Sequence, residues 1–176
     1  MVIVDMPRLP LTAEEFERMP PVRGLRMELW EGNLDVAAAA QMAWHSLKIL
    51  QIANMFTRAG RVATTETGVV IAPRTVRAPD VTRFRPGFEL ELRRSQFQPA
   101  DIDLIVEVVS PESETRDRIL KPNEYAAAGI PEFWLVEEHP EDESDAVVNI
   151  HELTDTGSYR LVRSVHLSDL EKANLG

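Results

Sequence analysis

The chain has no cysteine, which removes disulfides, thiolate-bound zinc and a cysteine nucleophile, and fits a reducing compartment. It also lacks any run of about 18 uncharged apolar residues. Its opening MVIVDMPRLP carries no basic region followed by a long apolar core. Neither an export signal nor a membrane span is expected, and a cytoplasmic protein is. Positive charge is scarce: 19 Lys and Arg against 29 Asp and Glu leave a net −10. That balance argues against tight nonspecific nucleic-acid binding, which rests on Lys and Arg neutralising phosphates. Gly24, Gly32, Gly60 and Gly68 form no phosphate-cradling loop, Ser110 lacks the Gly-X-Ser-X-Gly elbow, and no internal repeat is present.

What is there suits one domain covering residues 1–176, with 44% hydrophobic and 27% charged residues, enough to bury a core. The charge is uneven. Six acids crowd the nine residues from Glu137 to Asp145, a solvated loop by composition. Arginines recur at Arg74, Arg77, Arg83, Arg85, Arg93, Arg94, Arg116 and Arg118, leaving room for a local basic patch.

Thr12 and Glu15 have capping-box spacing, so a short helix is expected to about Arg18. Leu25 to Val36 reads as a hairpin turning at Gly32-Asn33. Ala37 to Ala59 reads as a long helix, with Ala43, Leu47, Leu50 and Asn54 on one stripe and Ile49, Ile52 and Phe56 beside it. Strands are expected at Val62 to Ala72, Val81 to Phe84 and Ile102 to Val109. Phe88 to Gln98 is either a short helix or an irregular excursion. A helix should run from Ser110-Pro111 to about Ala128, interrupted at Pro122, with strands at Phe133 to Val136, Val147 to His151 and Tyr159 to Val162. The order predicts an α/β or α+β domain around a central mixed sheet flanked by helices.

Within the apolar run Leu104-Ile105-Val106-Glu107-Val108-Val109, Glu107 has no packing reason to exist. A buried unpaired charge costs several kcal/mol, so it needs a cation or a hydrogen-bond partner. Asp80 stands beside Pro79 at the mouth of the preceding strand, and Lys121 lies on the helix that follows. Two hard carboxylates suit Mg²⁺ or Mn²⁺, and a lysine suits the developing charge of phosphodiester hydrolysis. Spacing alone leaves open a structural network in which Asp80 ends a turn, Glu107 pairs with Arg83 or Arg116, and Lys121 is solvated.

The segments MELWEGNL, Trp44-His45, APDV and DLIVEVVSPES…RDRILKPNEYAAAGIPEFWLVE resemble the Uma-type family of bacterial endonucleases, a group of the PD-(D/E)XK restriction-endonuclease-like superfamily. The resemblance implies a restriction-endonuclease-like core, divalent-metal dependence, a nucleic-acid substrate with DNA favoured, and a homodimer. Asp80 matches the PD aspartate and Glu107 the acid of (D/E)XK. The lysine expected two residues on is replaced by Val109, and Lys121 matches a lysine of the following helix. The Val108 carbonyl is implied as a further metal ligand and Glu28 as an accessory acid. Met27 stands where tyrosine is usual, and Glu137 where aspartate is.

His45 is a candidate base or phosphate contact. Asp117 is placed to pair with Lys121, and Tyr125 to support it or, preferably, to pack the core. Phe133 and Trp134 are read as core, and His139, His151 and His166 lack metal-ligand spacing. The missing lysine at Val109 and the net negative charge keep two alternatives open: a catalytically inactive dimeric binding or assembly module, and a hydrolase of some other phosphoester.

Overall fold

The computed structural model describes residues 9–38, 42–110 and 116–174. The Thr12 side chain accepts from the Glu15 N–H while Glu15 takes the Thr12 N–H, and α1 (Ala13–Glu17) follows from this reciprocal cap. β1 (Leu25–Trp30) and β2 (Asn33–Ala38) form the expected hairpin. Its turn is Glu31-Gly32 rather than Gly32-Asn33, with φ of 50° and 84°, the left-handed pair whose twist matches the strands.

α2 (Ala43–Arg58) starts later than the sequence suggests, because Ala37 and Ala38 finish β2; residues 39–41 lie outside those described. Its inward stripe carries Ile49, Ile52 and Phe56, whereas Leu47 and Leu50 are exposed. The strand expected over 62–72 is two, β3 (Ala63–Thr65) and β4 (Gly68–Ala72), parted at Glu66 by a φ of 53°. β5 (Thr75–Arg77) occupies what reads as a turn-rich link, and β6 (Val81–Phe84) follows. The 88–98 excursion is irregular apart from β7 (Gln96–Phe97).

β8 (Ile102–Val108) leads into residues 111–115, which lie outside those described, so the start of the expected helix is not seen. A π-helical segment, Arg116–Leu120, then passes directly into α3 (Lys121–Ala127). Pro122 does not break the helix. It sits in the first turn of α3, where a missing N–H is tolerated, and the wide π turn meets the α turn there. β9 (Glu132–Glu138), β10 (Ala146–Leu153), β11 (Tyr159–His166) and α4 (Leu167–Asn174) complete the order.

The strands divide between two sheets, ordered β2-β1-β5-β4-β7 and β11-β10-β9-β8-β6-β3. In the second, β8 and β9 are parallel and the other pairs antiparallel. β8 is central and buried on both faces, as its apolar run predicts. Leu104, Val106 and Val108 pack with Trp134 against α2 and against Leu167 and Leu170 of α4. Ile105 and Phe133 point the other way, toward Tyr125 of α3 and toward Val69 and Phe97 of the first sheet. Each such side chain withdrawn from water contributes about 1.5–3 kcal/mol before conformational entropy is counted. The link Ala78-Pro79-Asp80 carries the chain from β5 in one sheet to β6 in the other. Among the described residues no helix is long and apolar enough to cross a membrane.

Candidate active site

Three elements converge on that link. β1 pairs with β5, Leu29 opposite Val76, which sets Arg26 and Glu28 beside it. Two residues apart on a strand, they share a face. β6 runs antiparallel to β8 with Val81 opposite Val106, so Asp80 comes alongside Glu107 where β6 gives out. α3 lies over the Ile105 face of β8 and presents Lys121 and Tyr125, four residues apart and so one above the other.

The side chains interlock. Asp80 Oδ2 accepts the Val108 N–H at 2.7 Å, replacing the partner that a longer β6 would have supplied. His45 Nε2 of α2 stands 3.3 Å from the same oxygen, and Arg26 Nη1 donates to Oδ1 at 3.0 Å. Glu107 Oε1 accepts the Tyr125 hydroxyl at 2.5 Å and lies 3.1 Å from Lys121 Nζ. The ammonium also meets Asp117 Oδ1 at 3.1 Å and Glu28 Oε1 at 3.7 Å. Glu28 in turn accepts the Ala78 N–H at 3.0 Å and Arg77 Nη1 at 3.1 Å, while Arg77 grips Glu124 through two nitrogens at 2.6 and 2.8 Å. Asp80, Glu107, Glu28, His45, Asp117 and Lys121 are all buried.

Burial is the dominant influence on Glu107. It drives the carboxyl up to about 8 against the pull of Lys121, with Asp117 and Asp80 pushing the same way. Burial also disfavours charge on Glu28, yet Lys121, Arg26, the Ala78 N–H and Arg77 hold it below the usual carboxylate range. Asp80 is likewise held low against burial by His45 and Arg26. Lys121 is raised because Glu107, Glu28 and Asp117 outweigh its desolvation, so it stays charged at neutral pH. The Tyr125 hydroxyl is raised well above its ordinary value by burial and by Glu107, so it stays a donor. Acids tuned apart in one buried site are an arrangement that acid–base and metal chemistry use, as structural ion-pair networks also do.

A divalent metal fits this donor set in a limited way. Among the described residues no three acid or imidazole side chains form a complete ligand cluster. Glu107 Oε2, however, is buried and has no hydrogen-bond partner among them. Glu28, Asp80, Glu107, Asp117 and Glu124 face Arg26, Arg77 and Lys121, so five carboxylates against three fixed cations leave a formal excess of two negative charges once Glu107 gives up its proton. Two hard carboxylates on neighbouring strands with an unused oxygen suit Mg²⁺, which keeps several waters and asks for few protein ligands.

Asp80, Glu107, Lys121, Glu28, His45, Asp117 and Tyr125 are therefore brought together, and Val108 joins them through its N–H. Tyr125 does more than pack: its ring lies against Phe133, but its hydroxyl is on Glu107. The alternative pairing of Glu107 with Arg83 is not formed, since Arg83 is bonded to Asp103 and Glu132; the Arg116 side chain lies outside the described residues. His139 and His166 lie against each other with their rings tilted by 41°, away from the cluster. Arg26 and Glu124 escape sequence reading, and Arg77 is read there only as one of the recurring arginines. The one signal for Arg26 is its alternation with Glu28 on β1.

The model of the Uma2 family, described as "Putative restriction endonuclease", matches residues 13–175. The chain belongs to the Uma2 family. Its fold is also that of a crystal structure from Anabaena variabilis ATCC 29413, titled a "putative nuclease belonging to DUF820". The two are 16% identical and superpose with a TM-score of 0.63 over 94% of this chain and 99% of that one. No curated protein matches. The fold is thus α+β with a restriction-endonuclease-like core, and the buried cluster sits on residues that the sequence resemblance to the family singles out.

Proposed function

We propose that this Uma2-family chain is a divalent-metal-dependent nuclease that hydrolyses phosphodiester bonds of nucleic acid, DNA foremost. The observation that carries the proposal is Glu107: a carboxylate with 0% exposure, one oxygen without a partner among the described residues, beside a second carboxylate and an ammonium. Asp80 and Glu107 hold Mg²⁺ or Mn²⁺ with the Val108 carbonyl and waters, and the ion supplies Lewis acidity to water and to the phosphoryl oxygens. Lys121 orients the attacking water and offsets the charge that builds on the phosphate. Tyr125 fixes Glu107, His45 fixes Asp80, and Asp117 and Glu28 fix Lys121. The 1–176 chain works as one domain in the cytoplasm and as a homodimer; exposed Leu47 and Leu50 of α2 support a mating surface.

One feature favours a second reading, a nuclease-fold binding or assembly module without turnover. Both oxygens of Asp80 are engaged within the chain, by Arg26 on one side and by Val108 and His45 on the other. Calorimetric titration of Mg²⁺ and Mn²⁺ into the wild type and Glu107→Ala separates the two. It is run beside cleavage assays on supercoiled plasmid, single-stranded DNA and RNA. Binding and cleavage lost together in the variant support the nuclease; a wild type that neither binds metal nor cleaves supports the module. Turnover confined to small phosphodiesters points to the other hydrolase.

A further inference from the structure

Arg26 stands where a metal's charge would be felt most. Its Nη1 occupies Asp80 Oδ1 at 3.0 Å, its Nη2 donates to the Ala78 carbonyl, and Glu28 Oε1 is 3.6 Å away. The other two fixed cations are committed elsewhere. Arg77 is gripped by Glu124 and Glu28, and Lys121 lies between Glu28, Glu107 and Asp117. Exposure also separates them: the Arg26 side chain is 16% exposed, against 3% for Arg77 and 5% for Lys121. It is the cation with a way out.

A guanidinium does not give up its proton at any working pH. It cannot make room for a divalent ion by neutralising, as a lysine or histidine can. An ion held by Asp80 and Glu107 would compete with Arg26 for the same carboxylate and be repelled by it at close range. Once released, the planar fork matches two phosphate oxygens at once.

Resting on the metal-dependent reading above, we propose that Arg26 is the placeholder cation of the metal-free site. It neutralises Asp80 until the divalent ion arrives, then swings outward and clamps the phosphate of the nucleic acid to be cut. Metal and substrate thereby favour each other, because the phosphate gives the displaced guanidinium a new partner.

The test is a calorimetric Mn²⁺ titration of the metal-free full chain as wild type, Arg26→Met, Arg26→Lys and Glu107→Ala. Arg26→Met should bind Mn²⁺ about tenfold tighter than wild type, the order expected from removing a like charge at a part-buried site, while cleaving at least about tenfold more slowly. Arg26→Lys should stay near wild type in Mn²⁺ affinity but lose cleavage with the fork. If Arg26→Met binds Mn²⁺ no tighter while Glu107→Ala abolishes wild-type binding, the placeholder role falls and the nuclease reading stands. If neither wild type nor Arg26→Met binds Mn²⁺, both fall. A measurement on the unaltered protein guards against misfolded variants: phenylglyoxal should modify Arg26 faster in Mg²⁺ than in EDTA, by peptide mass mapping. Modification indifferent to Mg²⁺ would overturn the proposal by itself.

Discussion

Replacing Glu107 by glutamine should make the metal-free protein more stable, by an amount that grows with pH. Buried on β8, the carboxyl titrates near 8 rather than at the ordinary 4.5. Below 4.5 it is protonated in both folded and unfolded chains and costs nothing. From there upward the unfolded chain ionises while the folded chain keeps its proton, and stability drains away until the pH passes about 8. At about 1.4 kcal/mol per pH unit, the loss reaches on the order of 4 kcal/mol. Glutamine retains an oxygen for Tyr125 and Lys121 and never ionises. Its amide nitrogen inherits the unpartnered place of Oε2, which costs about 1–3 kcal/mol. The net gain at pH 8 is then about 2 kcal/mol, or roughly 5 °C in a chain of this size. Urea denaturation of both proteins in EDTA at pH 4.5, 6, 7 and 8 measures it directly. A glutamine variant less stable than wild type at pH 8, or a difference that does not change with pH, would refute the reasoning. The expected result is what the proposed nuclease reading requires of Glu107, a residue kept for chemistry against the interest of the fold.

Lys121→Met should behave in the opposite sense, because it strips the ammonium from Glu107, Asp117 and Glu28. We expect a loss of about 3–5 kcal/mol at about pH 9, where Glu107 is ionised, and a smaller one at about pH 5, where it holds a proton; equal losses at the two pH values in urea melts would count against the cluster. Asp145→Ala should uncap α4, since the carboxylate accepts the Ser168 N–H at 3.1 Å and its hydroxyl at 2.7 Å. The cost is about 1 kcal/mol near pH 7. Burial opposes the Asp145 charge, but Ser168 and the Ala146 N–H hold its carboxyl below 3.8 in the fold. Its contribution is therefore complete above 3.8 and lost as pH falls through the lower folded value, so the melting difference should close in acid.

Glu107 was legible because a carboxylate in an apolar run contradicts its surroundings, and Asp80 because a Pro-Asp pair opens the neighbouring strand. Lys121 was legible as a candidate from its helix after β8, but only the family resemblance set it apart from a solvated lysine. Arg26 was hidden for the same reason: alternating charges on a hairpin describe any wet strand, and only the pairing of β1 with β5 turns that face inward. The second sheet was hidden because Val62 to Ala72 reads as one periodic run, and the break is a single left-handed residue, Glu66. α4 gave no sign because its cap comes from Asp145, 23 residues before Ser168, across the β10–β11 hairpin. Local signals report local partners. This cap, like the site, is assembled from a distance.

On the proposed nuclease reading, the displaced position of the lysine follows from the same geometry. Along β8, Ile105, Glu107 and the next alternate position, Val109, share a face, while Leu104, Val106 and Val108 take the other. A lysine at 109 would rise from the sheet on the side of Glu107. In this chain Val109 instead packs with the cluster of Ile105, Phe133 and Tyr125. α3 covers that same face, so an ammonium carried by its first residue descends onto Glu107 from above and reaches it at 3.1 Å. The strand position becomes free for core packing without moving the charge to the other side of the sheet. Asp117, one turn before Lys121 on the π-helical segment, then holds the long side chain in place at 3.1 Å. What the proposed chemistry would require is a cation on this face within reach of the acid, and either backbone position can supply it.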